Sequence, residues 1–187
     1  MDRLASQHVL PAAAAALAVA LLFSAPAAAQ ETYTFTAGVL GGIGGSTDAE
    51  PGDGLDNGSF QLDLGVVFQP QNHLVARIGR LGLGGSDRFA DLVDADLTYA
   101  TIGGEYRYRH SYYDSGLYLA LGAYRLEGDL PAGGEEDETA VGLALGVTGE
   151  FPINRWLGVQ LEVSGHYADF DRAQVFAMGH AGLVVHF

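Results

Sequence analysis

The sequence predicts an all-β fold, an eight-stranded antiparallel up-and-down transmembrane β-barrel with its N- and C-termini on the periplasmic side. Three observations predict it. Beyond residue 30, eight segments alternate apolar and polar residues with a period of two, so each has two unlike faces. The connections between them alternate between short and long, as the two rims of a membrane barrel require. The chain also opens on an export-type leader and ends on Phe187, after a run in which every second residue is apolar or small.

The leader comes first along the chain. MDRLASQH is a short polar start, VLPAAAAALAVALLF an apolar stretch, and SAPAAAQ offers an Ala-x-Ala site at Ala27 to Ala29. That is the layout of a secretory signal peptide over residues 1–29, cut before Gln30, with the barrel domain over 30–187. A transmembrane helix fits less well: from Leu10 to Phe23 the apolar stretch contains Pro11 and is shorter than the ~20 residues a span needs.

Segment one is TYTFTAGVLGGIGG, with Tyr33, Phe35, Ala37, Val39 and Ile43 on one face and Thr34, Thr36, Gly38 and Leu40 on the other. In segment two, Phe60, Leu62, Leu64, Val66 and Phe68 oppose Gln61, Asp63, Gly65, Val67 and Gln69. In segment three, Leu74, Ala76 and Ile78 oppose Val75, Arg77 and Gly79; alternation fails at Arg80, which predicts a bulge or the membrane edge there. Segment four sets Ala100, Ile102, Tyr106 and Tyr108 against Tyr99, Thr101, Glu105, Arg107 and Arg109.

The second half repeats the theme. Leu117, Leu119, Leu121 and Ala123 oppose Tyr118, Ala120, Gly122 and Tyr124. Val141, Leu143, Leu145, Val147 and Phe151 oppose Gly142, Ala144, Gly146, Thr148 and Glu150. Leu157, Val159, Leu161, Val163 and Tyr167 oppose Trp156, Gly158, Gln160, Glu162, Ser164 and His166. The eighth segment ends the chain, with Val175, Ala177, Gly179, Ala181, Leu183 and Val185 against Phe176, Met178, His180, Gly182, Val184 and His186. Each segment matches the roughly 9–11 residues of a tilted membrane strand.

Pro70–Asn72, His110–Ser115 and Pro152–Arg155 are the short connections, predicted as periplasmic turns. Ser46–Asn57, Gly84–Asp96, Glu127–Glu138 and Ala168–Gln174 are mostly longer and rich in Gly and acid, predicted as outer loops. A soluble sandwich gives no reason for such regular alternation. An even number of strands places both termini at one end.

With a signal peptide, eight alternating segments and a terminal aromatic, the chain resembles the OmpA/OmpX-like eight-stranded outer-membrane β-barrels over essentially all of residues 31–187. The resemblance implies the outer membrane of a Gram-negative-type bacterium. It also implies that Phe187, with Val185 and Leu183 before it, is read by the barrel-assembly machinery.

An eight-stranded barrel is just wide enough for side chains to fill. The inward set is predicted to hold a polar network of Asp63, Arg77, Glu105, Arg107, Arg109, Glu150, Glu162, His166 and His180. Charges in so narrow a space must be paired. The short turn at Pro70 brings Asp63 level with Arg77, the preferred cross-strand pair. Such a network reads first as a plug that fixes register, and second as a gated ion path.

Glu162, Ser164 and His166 project from one face at i, i+2 and i+4, the parts of an activated nucleophile. Some small outer-membrane barrels are lipid A deacylases with Ser and His on a late strand. This chain lacks their His-x-Ser order and the face points inward, so no catalytic residues are assigned. GGIGG at 41–45 and GLGG at 82–85 open no helix, which a phosphate loop requires, and read as strand-end glycines. The acids of DAEPGDGLDNG do not match EF-hand spacing. No metal site and no cofactor are expected.

Cys and Lys are both absent, so there is no disulfide framework, and the nine basic residues are all Arg. A net charge of −14 rules against nucleic acid as a partner. The four long connections carry sixteen acids against Arg88 and Arg172, which is the whole net charge. This collar reads as solvation of the loops, or as divalent-cation bridging to lipopolysaccharide phosphates. The expected partners are outer-membrane lipids, lipopolysaccharide and the assembly machinery, with the protein a monomer. A structural or surface-interaction role comes first, a narrow channel second and a lipid-A-modifying enzyme third.

Overall fold

The eight alternating segments become eight strands: β1 Thr34–Ser46, β2 Asn57–Gln69, β3 Asn72–Gly82, β4 Val93–Arg109, β5 Asp114–Asp129, β6 Glu135–Pro152, β7 Leu157–Ala168 and β8 Val175–His186. The structure is a computed structural model, and it describes residues 34–47, 57–83, 92–130, 132–171 and 175–187. The predicted signal peptide and the loop residues Asp48, Glu50, Asp53, Asp56, Asp87, Arg88, Asp91 and Arg172 lie outside the described residues.

Each strand pairs antiparallel with its sequence neighbours, and β1 pairs with β8 to close the barrel. Closure is completed by the last residue. Phe187 donates from its N–H to the Phe35 carbonyl at 3.0 Å and accepts from the Phe35 N–H at 2.8 Å. Their rings stack at 6.3 Å. Leu183 sits between Val39 and Val159, and Val185 between Ala37 and Leu157. The three residues singled out at the terminus are therefore seam residues.

The faces are as the alternation assigns them. Phe35, Val39, Leu62, Leu64, Ile78, Ile102, Leu119, Leu145, Val163 and Leu183 are exposed on the outer wall. In water this belt would be unstable; against hydrocarbon it is the required surface. Tyr106, Tyr108, Tyr113, Phe151, Trp156 and Phe187 form an exposed aromatic girdle at the short-turn end. Membrane–water interfaces favour such rings.

Two expectations are corrected, and at Arg80 one of two alternatives is removed. The 127–138 stretch is not a loop: β5 and β6 stay paired through Glu127↔Asp137 to Asp129↔Glu135, where the two strands end and begin. Gly133 and Gly134 take positive φ of 90° and 120° there, which an L side chain resists. Acid and glycine hid this strand pair, because the ladder to a long neighbour overrides weak local propensity. The β2–β3 and β3–β4 registers run unbroken through Arg80, so no bulge lies there. Arg80 is an outward residue, 65 % exposed and paired with Asp96 at 2.6 Å, at the upper edge of the apolar belt. Trp156, placed on the inward face by alternation, is exposed in the turn before β7.

Inside, the barrel is divided by polarity. Toward the long connections, Leu81, Leu83, Leu92, Leu97, Leu126, Ala168, Phe170, Phe176 and Met178 pack into one apolar cluster with Tyr99 and Tyr124. Phe170 meets Phe176 edge-on at 6.2 Å. Toward the short turns the interior is polar. Tyr118 lies over the bare backbone of Gly146, its cross-strand partner, where an added Cβ would stand 2.5 Å from the ring.

Candidate functional site

The polar half of the lumen is built around two guanidinium groups. Arg77 comes from β3, 1 % exposed, and its Nε donates to Glu162 on β7 at 3.1 Å. Its Nη2 donates to Glu105 on β4 at 3.3 Å. Asp63, directly opposite on β2, is the third carboxylate, at 3.6 Å from Nε. The guanidinium also lies 3.7 Å from the centroid of the Tyr118 ring. Arg107, two residues along from Glu105, donates to it at 2.8 Å through Nε and to Glu150 on β6 at 2.6 Å through Nη1.

Neutral side chains satisfy most of the remaining oxygens, Asp63 Oδ1 being left without a hydrogen-bond partner. Tyr118 donates to Glu162 at 2.8 Å and Gln61 donates to the same oxygen at 3.2 Å. Tyr99 in turn donates to Gln61 at 2.7 Å. Thr148 donates to Glu105 at 2.8 Å, and Gln160 donates to Asp63 at 2.9 Å. Glu150 shares a 2.7 Å contact with His186 near the short-turn rim. Buried charge is costly unless it is both paired and hydrogen-bonded, and here every charge is paired while Arg77 Nη1 and Asp63 Oδ1 alone in the group lack a hydrogen bond.

Asp63, Arg77, Glu105, Arg107, Glu150 and Glu162 are thus brought together into one connected group. His166 and His180 lie nearer the apolar half. His166 shares hydrogen bonds with Ser164 at 3.1 Å and Tyr124 at 3.1 Å, while His180 shares one with Ser59 at 2.7 Å. Arg109 does not join them. It is exposed at the last position of β4, beyond the enclosed lumen, because parity sets the face but not the depth.

Alternation also placed Gln61, Tyr99, Tyr118, Thr148, Gln160 and His186 inward without marking them as partners. The signal for them was their polarity on an inward face. Which of them meet across the lumen depends on barrel closure, which no local spacing encodes. Ser164 and His166 come within hydrogen-bond reach, but they are 3 % and 1 % exposed, and Glu162 is engaged with Arg77, Tyr118 and Gln61 instead. Among the described residues that hydroxyl is enclosed, away from the lipid-facing wall.

A second concentration of charge lies on the outer wall, where β4, β5 and β6 continue past the apolar belt. Arg125 holds Asp137 through Nε at 2.9 Å and Nη2 at 2.7 Å, and contacts Glu127 at 2.7 Å. These hydrogen bonds hold the Asp137 carboxyl below the ordinary carboxylate range. Asp94, Asp96, Glu127, Asp129, Glu135, Glu136 and Asp137 surround Arg125 in a shallow pocket of about 310 Å³.

The same architecture occurs in solved proteins of low sequence identity. A major outer membrane protein from Thermus thermophilus matches with a TM-score of 0.62 at 11 % identity, over 84 % of this chain and 100 % of that one. Neisserial surface protein A matches at 0.59 and 13 % identity, over 82 % and 95 %. Ail, the attachment invasion locus protein of Yersinia pestis, matches at 0.56 and 15 %, over 84 % and 100 %. At such identities the likeness is one of fold. Comparison with curated proteins yields no match. The family model of the outer membrane protein beta-barrel domain matches residues 15–184, and with its closed eight-stranded barrel the chain belongs to that family.

Proposed function

We propose that the protein is a sealed barrel with a structural or surface-interaction role, its termini and short turns on the periplasmic side and its acidic collar outside. The observation that carries this reading is the division of the lumen. The apolar cluster around Leu97, Phe170 and Phe176 fills one half, and the Arg77–Glu162 and Arg107–Glu150 groups fill the other. An eight-stranded interior has no room for a water column beside them. Fold neighbours such as an attachment invasion locus protein and a neisserial surface protein fit a surface role.

The collar is the part available to partners. Its carboxylates suit divalent cations shared with lipopolysaccharide phosphates, and the protein acts as a monomer without a cofactor or a catalytic step. Ail has also been solved with the heparin analogue sucrose octasulfate. A polysulfate is a poor partner for this chain, since like charges oppose the approach.

A narrow ion path is the second reading. What favours it is a set of buried polar atoms without a protein partner, among them Arg77 Nη1, Thr101 Oγ1 and both nitrogens of His73. Planar-bilayer recording of the mature protein separates the two. The sealed reading expects no single-channel steps, and reproducible steps in the folded protein would overturn it.

A further inference from the structure

Beyond the apolar belt the barrel wall is uneven in height. β7 ends its pairing with β6 at Ala168, opposite Gly142, and Asp169 adds a last bond, its N–H donating to the Val141 carbonyl at 3.2 Å. The chain then turns inward. Phe170 is buried in the apolar cluster, and the Asp171 N–H donates to the Glu138 carboxylate at 2.8 Å. β6 starts well before that point, at Glu135, and its other side stays paired with β5 throughout. In an antiparallel ladder the N–H and C=O of one residue point to the same side, and the side alternates along the strand. Val141 faces β7, so Glu135, Asp137 and Thr139 face away from β5 as well. Among the described residues, no strand pairs with them there.

An open edge is a row of donors and acceptors ready to receive another strand. The side chains decide which strand it takes. This edge reads Glu135, Glu136, Asp137, Glu138, Thr139, so acids project from both of its faces. Arg125 holds Asp137 and Glu127, yet Asp129 stands directly opposite Glu135, and the strand end stays negative. A second copy of this chain is a poor occupant, because edge-to-edge pairing would set the run of acids against itself. A basic strand is a good one. Whichever face its side chains take, they meet carboxylates.

We infer that the 135–139 edge of β6 docks an extended, basic segment of an external protein as an added strand. The backbone of Glu135, Asp137 and Thr139 supplies the ladder, and the acids on both faces select a partner rich in Lys or Arg. The inference rests on the reading that the long connections lie outside, and it deepens the surface role by naming the chemistry of the partner. It differs from the collar reading, since divalent cations need carboxylates but no strand edge.

The test uses the mature protein in lipid nanodiscs, with folding checked by gel migration before and after boiling. Short labelled peptides are the probes, read by fluorescence anisotropy. A peptide alternating Lys and Thr should bind, and one alternating Glu and Thr should not. Methylating alternate backbone nitrogens of the Lys–Thr peptide removes its ladder and keeps its charge, and its affinity for the wild type should fall by about tenfold. Thr139→Pro removes one N–H from the open edge and none from the β5 ladder, a place where a strand tolerates proline, and should also weaken binding by about tenfold. Glu135→Gln/Glu138→Gln should weaken it most at low salt. If methylation and Thr139→Pro change nothing, the contact is charge alone: strand addition is wrong and the collar reading stands. If the wild type binds no Lys–Thr peptide, the acids only guard the edge and the inference is overturned. Orientation is read separately. The chain has no Cys, so on intact cells an impermeant maleimide should label Asp129→Cys. Failure to label it would overturn the outward placement of the long connections, and this inference with it.

Discussion

Arg77 is the residue on which the polar lumen depends. It is fully enclosed and touches carboxylates from three other strands, at 3.1, 3.3 and 3.6 Å. The distances rank the partners. Asp63, which faces Arg77 across the β2–β3 turn, is the most distant of the three and the most accessible. Glu162→Gln removes the charge closest to Arg77 and should cost about 3–5 kcal/mol, the range for breaking a buried pair. Asp63→Asn should cost clearly less, because Asp63 is the most distant and the most exposed of the three carboxylates. Urea unfolding in lipid vesicles measures both. Equal costs would mean that proximity in sequence, not distance in the fold, ranks the pairs. This is also where the sequence stops being legible. A short turn makes Asp63 and Arg77 neighbours by counting, but Glu162 lies 85 positions from Arg77 and meets it only because the sheet closes.

At the scale of the strand, period two decides nearly everything. Leu62 and Leu145 were assigned to lipid by alternation, and both are exposed on the outer wall. Leu62→Arg or Leu145→Arg should each cost about 2–4 kcal/mol near mid-membrane. Folding titrations into lipid vesicles measure this, and tolerance of either change would invert the faces. The strand ends were less legible. The 127–138 stretch looks like a loop because it holds Glu127, Asp129, Glu135 and Asp137, yet all four lie on the paired strands of β5 and β6. Beyond the bilayer a strand no longer needs an apolar face, so its period-two signal vanishes while its ladder persists. The terminal strand has a different task. Phe187 makes two backbone hydrogen bonds to Phe35 at the seam, and its deletion should lower the amount of barrel assembled in cells more than it lowers stability in vesicles. Equal assembly without Phe187 would remove the recognition role that the family resemblance implies for it.

For the whole molecule, the outer wall, the rim and the lumen make different demands, and the sequence meets them in separate residues. The wall is apolar, the long-connection rim acidic, and the interior half apolar and half ionic. A sealed barrel requires that the ionic half be packed rather than wet. Packing and hydration differ most in how strongly two charges feel each other: interactions that are weak in water grow severalfold in a protein interior. The direct measurement is a double-mutant cycle of Arg77→Met and Glu162→Gln, followed by urea unfolding in lipid vesicles. A packed lumen should give a coupling energy of about 1–3 kcal/mol, since Arg77→Met leaves Glu162 without its guanidinium while the double change removes both charges of that contact. Independent, additive losses at Arg77 and Glu162, with a coupling indistinguishable from zero, would contradict it and leave a hydrated lumen in its place.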